Sequence, residues 1–360
     1  MINELTDLPS GFHEFLTEKG LVYDGPTQLD MLASVLSSQV VLFVGPSGTG
    51  KSTAARALAS FLGSDNERAV IDVRPGWSST EDLLGQYSSF SKSFLPGAAT
   101  ERLMTVLGAT ATPFFILEEA NLSPIESYAG PLVTAASGTR FQGLTWRFHS
   151  EQNLLEPPAE VRVDRFPRFF GTINVDTTAP APAPKVSGRA CVLLLEPPSV
   201  DSSIASTAAI TEQEKVVKGG EGAAAVGDPH TAWSAVVVEG RQAEYMEPLR
   251  VQLSSLVEAI GNGTNLVSPR DVQRCALYMS WHQALVSVGD QGAHTMAASA
   301  ENALLHYVLP GLSAEQFGRV VPRLHQSALQ GGLLQARLAR LQGSDDNLFG
   351  VPPDFWASLS

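Results

Sequence analysis

The eight residues Gly45-Pro46-Ser47-Gly48-Thr49-Gly50-Lys51-Ser52 constrain this chain more than any other stretch. They satisfy the pattern G-x-x-x-x-G-K-[ST] at every fixed position. Val40-Val41-Leu42-Phe43-Val44 precedes them and reads as a short buried strand. Ala54, Ala55, Leu58 and Leu62 follow at helical spacing, and Gly63 stands where a helix would stop. A glycine-rich turn between strand and helix is the setting in which this pattern cradles a phosphate. The glycines let the backbone curl until its N–H groups face an anion, and the helix N-terminus adds partial positive charge. On this reading Gly45 through Thr53 form a nucleotide cradle. Lys51 reaches the β- and γ-phosphates, and the Ser52 hydroxyl binds Mg²⁺.

Two further apolar runs end on polar residues. Phe114-Phe115-Ile116-Leu117 reads as a buried strand with Glu118 and Glu119 at its C-terminal tip. In open α/β sheets the ligand lies at that edge. The first acid suits Mg²⁺, and the second can orient or deprotonate an attacking water. Pro167 to Asn174 is a similar run, and Asn174 can donate to a γ-phosphate or hold a water without carrying charge. Ala69 to Arg74 and Ala190 to Leu195 supply two more core strands. Trp77 reads as a packing residue and Ser79 with Asp82 as a capping box. Ser137 to Arg140 reads as a turn, and Trp146 to His149 as a hairpin arm with His149 on its surface.

The helical pattern begins near Tyr245. Leu249, Leu253 and Leu256 share a face, Ser268 caps a helix that opens on Pro269, and Val272, Cys275, Ala276 and Met279 form its apolar stripe. Ala298 to Leu309 and Leu333 to Leu341 are further helices. The expected division is a helical lead-in at 1–38, an α/β nucleotide-binding domain at 39–200, a flexible connection or insertion at 201–244, a helical lid at 245–345 and a tail at 346–360. Ala179 to Pro184 reads as a stiff extended spacer.

Composition bounds the function. The net charge of −13 and pI near 5.0 argue against a broad nucleic-acid-binding face on this chain. Cys191 and Cys275 lie far apart and read as buried small residues in a reducing compartment. No apolar run has the length of a membrane span, and residues 1–10 carry acids rather than a basic leader. A cytoplasmic protein is expected.

The order of these parts resembles the AAA+ ATPases and, within them, the McrB-type motors of modification-dependent restriction systems. The stretches that carry the resemblance are Arg74-Pro75-Gly76-Trp77, Asp82-Leu83-Leu84-Gly85-Gln86-Tyr87, Glu118-Glu119-Ala120-Asn121-Leu122 and Gly171-Thr172-Ile173-Asn174-Val175-Asp176. Leu304 to Leu312 is similar to that group's lid. The resemblance spans nearly the whole chain outside 197–240. It implies an α/β P-loop NTPase with a parallel sheet flanked by helices and a small all-helical lid. It also implies a homo-oligomeric ring, expected as a hexamer, with ATP and Mg²⁺ between subunits.

In that frame Asn174 matches the sensor that orients the water. Arg189 matches the finger inserted by a neighbouring subunit, and Arg270 the lid arginine facing its own subunit's phosphate. Glu118 stands where Asp is usual. Asn174-Val175-Asp176-Thr177 departs from the Asn-Thr-Ala-Asp of GTP-selective members, which favours ATP over GTP. The chain shows neither that group's DNA-reading domain nor a nuclease constellation, so DNA contact and cutting fall to partner subunits. The alternatives are a MoxR-like remodelling chaperone and a structural ring that binds nucleotide without turnover.

Overall fold

Short apolar runs bounded by turns satisfy their backbone groups by pairing with one another. The computed structural model describes residues 7–63, 68–101, 104, 114–136, 144–149, 159–163, 168–175, 181–196, 247–251, 253–254, 267–288, 296–327, 334–335, 338, 355–356 and 359. The expectations for 137–140, 176–180, 201–244, Leu256 and most of 333–354 lie outside them. Helices α1 (Leu8–Glu18) and α2 (Gly25–Ser37) lead into β1 (Val40–Gly45) and α3 (Lys51–Leu62). Then come β2 (Arg68–Asp72), α4 (Thr80–Leu84), a hairpin of β3 (Gln86–Ser88) and β4 (Ser93–Leu95), and β5 (Phe114–Glu118). Short helices α5 (Ile125–Tyr128) and α6 (Gly130–Ala136) precede a hairpin of β6 (Leu144–Arg147) and β7 (Glu160–Val163). The chain continues through β8 (Arg168–Asn174), α7 (Pro184–Ser187) and β9 (Cys191–Leu194) to α8 (Pro269–Val288), α9 (Met296–Tyr307) and α10 (Ala314–Ser327).

Five strands make one sheet in the order β2-β5-β8-β1-β9. Every pairing in it is parallel. The register pairs Gly45 with Asn174 and Asp72 with Glu118, so the C-terminal tips lie along one edge. Within the sheet Phe170 meets Phe43 and Phe114 edge-to-face, with ring centroids 5.2 and 5.3 Å apart.

Several local expectations hold. Helix α3 stops at Leu62, and the Gly63 N–H donates to Ala59 O. The Ser79–Asp82 capping box opens α4. Trp77 is buried edge-on against Tyr128, ring centroids 5.2 Å apart.

Others need correction. His149 is buried rather than on the surface, because Phe94 from the β3–β4 hairpin covers it, ring centroids 6.1 Å apart. That hairpin was not expected; its strands are three residues each, too short to show alternation. The proline spacer is not extended throughout: Pro184 opens α7, where its fixed φ and missing N–H suit a first helical position.

Helix α8 packs against α2, and α9 packs against α8 and β9. A buried polar network joins all four elements. Asp30 of α2 lies 2.7 Å from Nε2 of His306, whose Nδ1 donates to Val192 O at 2.7 Å. The Tyr278 hydroxyl donates to the same Asp30 oxygen. Burial and the neighbouring Asp30 push that phenol well above its usual range. Ser37 and Tyr307 share a further hydroxyl bond of 2.9 Å. Burial likewise pushes the thiols of Cys191 and Cys275 up to about 12, and both are free. Among the described residues no helix is long and apolar enough to cross a membrane.

Asp30→Ala leaves His306 and Tyr278 buried without their shared acceptor. Losing one partner of a buried pair costs about 3–5 kcal/mol. The urea midpoint should fall accordingly at unchanged slope. A midpoint equal to that of the parent protein would show that the network does not hold these helices to α2.

Candidate active site

The turn after β1 has little freedom. A Cβ on Gly45 would stand 2.4 Å from Leu195 O, because the chain after β9 runs alongside it. Gly48 and Gly50 have φ of +83° and +81°, a region that side chains disfavour. With those constraints met, α3 starts at Lys51 and points its N-terminus into a cleft at the sheet edge.

Lys51 folds over the loop. Its Nζ donates to Gly45 O at 2.9 Å and Pro46 O at 2.6 Å, and Thr49 Oγ1 lies 3.5 Å away. The ammonium therefore sits inside the curl that the glycines make, at the floor of the cleft. Tyr23, from the stretch between α1 and α2, stands beside the loop, its hydroxyl 3.5 Å from Gly50 O. Burial raises that phenol to about 12, so it stays a neutral donor.

Glu118 is held from three directions. Ser52 donates to its Oε2, Thr172 donates to the same oxygen at 3.0 Å, and Arg56 Nε donates to Oε1 at 3.0 Å. Thr172 Oγ1 also accepts the Glu119 N–H at 2.9 Å. One hydroxyl on β8 thus fixes both acids at the tip of β5. Glu119 itself is left-handed, φ 51° and ψ 47°, and exposed. Such a conformation is uncommon for a residue with a Cβ and turns the carboxylate away from the strand line. Asn174 ends β8 beside Gly45, and Asn121 Nδ2 donates to its carbonyl at 3.0 Å.

The cleft encloses about 570 Å³, within the usual size of a small-molecule site. Ser47, Gly48, Gly50, Lys51, Ser52 and Thr53 line one wall, and Glu118, Glu119, Thr172 and Asn174 line the other. Gly45, Pro46 and Thr49 support it from behind through their contacts with Lys51. Ser52 Oγ and the Glu118 carboxylate are hard oxygen donors already facing each other, a pair whose chemistry fits Mg²⁺.

Neither expected arginine lines this cleft. Arg189 is partly buried in the turn before β9, its Nη1 donating to Lys185 O at 2.8 Å. Arg270 is exposed in the first turn of α8. Four residues that line the cleft escaped the motif reading: Asp72 and Val73 at the tip of β2, and Arg56 and Thr172. Arg56 lies four residues after Ser52 on α3, hence on the same face. Thr172 lies two residues before Asn174 on β8, hence on the same face. Spacing alone could have found Arg56 and Thr172.

Thr172→Val keeps shape while removing both bonds to the acids. For the nucleotide hydrolysis that the motif predicts, affinity should stay within about twofold while turnover falls by about tenfold or more, since misplacement acts on the transition state. Unchanged phosphate release by this variant would show that Thr172 does not set the geometry of the acids.

No protein-family profile matches the chain, and no curated protein matches it by sequence. Among solved structures, one from Cytophaga hutchinsonii described as a candidate ATPase shares the fold. Its TM-score is 0.53 at 13% identity, over 85% of this chain and 88% of that one.

Proposed function

We propose that this chain is a nucleoside triphosphate hydrolase of the AAA+ type that takes ATP in preference to GTP. In this reading it couples turnover to remodelling or translocation within a ring, expected as a hexamer. One observation carries it: Lys51, Ser52, Glu118, Glu119 and Asn174, from three neighbouring strand tips, face one cleft at a helix N-terminus. The shared fold of the candidate ATPase is in keeping with it.

Each residue then has a task. Backbone N–H groups from Ser47 to Thr53 hold the phosphates, and Lys51 neutralises their charge. Ser52 directly, and Glu118 through water, would hold Mg²⁺, which neutralises charge developing on the β- and γ-oxygens. Glu119 takes a proton from the attacking water and Asn174 orients it. Arg189 lies outside its own subunit's cleft and is assigned to a neighbour's. Arg270, at the start of α8, is assigned to its own subunit's nucleotide as the helices close.

For the wider role, the resemblance to McrB-type motors favours work beside a separate nuclease subunit in restriction or phage defence. The net charge of −13 favours DNA contact through that partner.

Phosphate release from Mg²⁺-ATP tests the hydrolase reading. Activity per subunit should rise with protein concentration, because sites complete only on assembly. Release at background at every concentration would remove the hydrolase reading; activity per subunit independent of concentration would remove the shared site. The purified chain alone should bind duplex DNA weakly and with steep salt dependence. Tight, sequence-specific binding at physiological salt would refute the division of labour with a partner.

A further inference from the structure

Arg189 stands between two carbonyls that a different arginine holds. Arg274, in the second turn of α8, donates from Nη1 to Gly188 O at 2.9 Å and from Nη2 to Ala190 O at 2.5 Å. Those carbonyls flank Arg189 on either side. The Arg274 guanidinium lies 4.4 Å from the Tyr307 ring centroid and 3.9 Å from Asp271 Oδ1. Its side chain is only 11% exposed. Tyr307 is in turn tied to Ser37 on α2.

The side chain of Arg189 is held less firmly than the backbone around it. Its Nη1 has the Lys185 carbonyl, and its Nε is buried without a hydrogen-bond partner. Helix α7, which leads into it, is a single turn of four residues. The Arg189 and Ala190 N–H groups both donate to Val186 O, at 2.9 and 3.0 Å, and the planar fork of Arg274 ties this turn to α8 through two carbonyls that a single ammonium cannot span.

We propose that Arg274 is a positioning residue for Arg189. It seats the finger's backbone and links it to α8, so that movement of the C-terminal helices alters the charge delivered to the neighbouring cleft. This rests on the reading of Arg189 as a finger acting between subunits.

Arg274→Lys tests it with the least risk to folding, since it keeps a buried cation beside Tyr307 and loses only the fork. Nucleotide affinity should stay near that of the parent chain and the thermal midpoint should drop by a few degrees, one carbonyl having lost its donor, while kcat falls by about 10²-fold. Arg189→Ala should lose about 10³-fold. The double variant should be no slower than Arg189→Ala, because both changes remove one function. Mixed with Glu119→Gln subunits, which carry a seated finger but lack the base, each single variant should regain part of its activity. Full turnover by Arg274→Lys beside an inactive Arg189→Ala would overturn the positioning role and leave the finger standing. Multiplied losses in the double variant would do the same. Full turnover by Arg189→Ala would overturn the finger, and this proposal with it.

Discussion

The carboxylate of Glu118 is the point on which the site depends. It receives Ser52 and Arg56 from α3 and Thr172 from β8 while standing at the tip of β5. A buried carboxylate is costly unless its oxygens are satisfied, and here both have donors. The start of α3 is thereby tied to the paired tips of β5 and β8 at the edge where the cleft opens. Glu119 inherits its position from that tie: it is the next residue, and Thr172 also binds its N–H.

What the residues disclose in advance follows from how local each constraint is. The glycine-rich loop after β1 needs one strand, one turn and one helix start, all within Val40 to Leu62, so pattern alone locates it. The strand-tip residues Glu118, Glu119 and Asn174 were visible because continuous apolar runs mark buried parallel strands. The burial of His149 was not visible, since it depends on Phe94 arriving from a hairpin more than fifty residues away in sequence. Arg274 was hidden for the same reason: its partners Gly188 and Ala190 lie across the fold. Arg56 and Thr172 are a different case, since helix and strand periodicity place them beside residues already singled out.

The C-terminal helices are not a loose appendage to the sheet. Asp30, His306, Tyr278 and the Val192 carbonyl bind them to α2 and to edge strand β9 through groups that are almost fully buried. A buried network of this kind is sensitive to geometry, because any displacement leaves polar groups unpaired. The Arg274 fork adds a second tie at the turn that carries Arg189. In the proposed mechanism, motion of α8 would reach that turn through the fork.

The most direct test of the account separates affinity from chemistry at one cleft. ATP affinity and phosphate release should be measured side by side for Lys51→Ala and Glu119→Gln. Without its cation the phosphate cradle should lose affinity. With glutamine in place of the acid, the cleft keeps its shape and hydrogen bonding but has no base, so affinity should persist while turnover falls by about 10²–10⁴-fold. Equal loss of affinity in the two variants, or near-normal turnover by Glu119→Gln, would contradict the account.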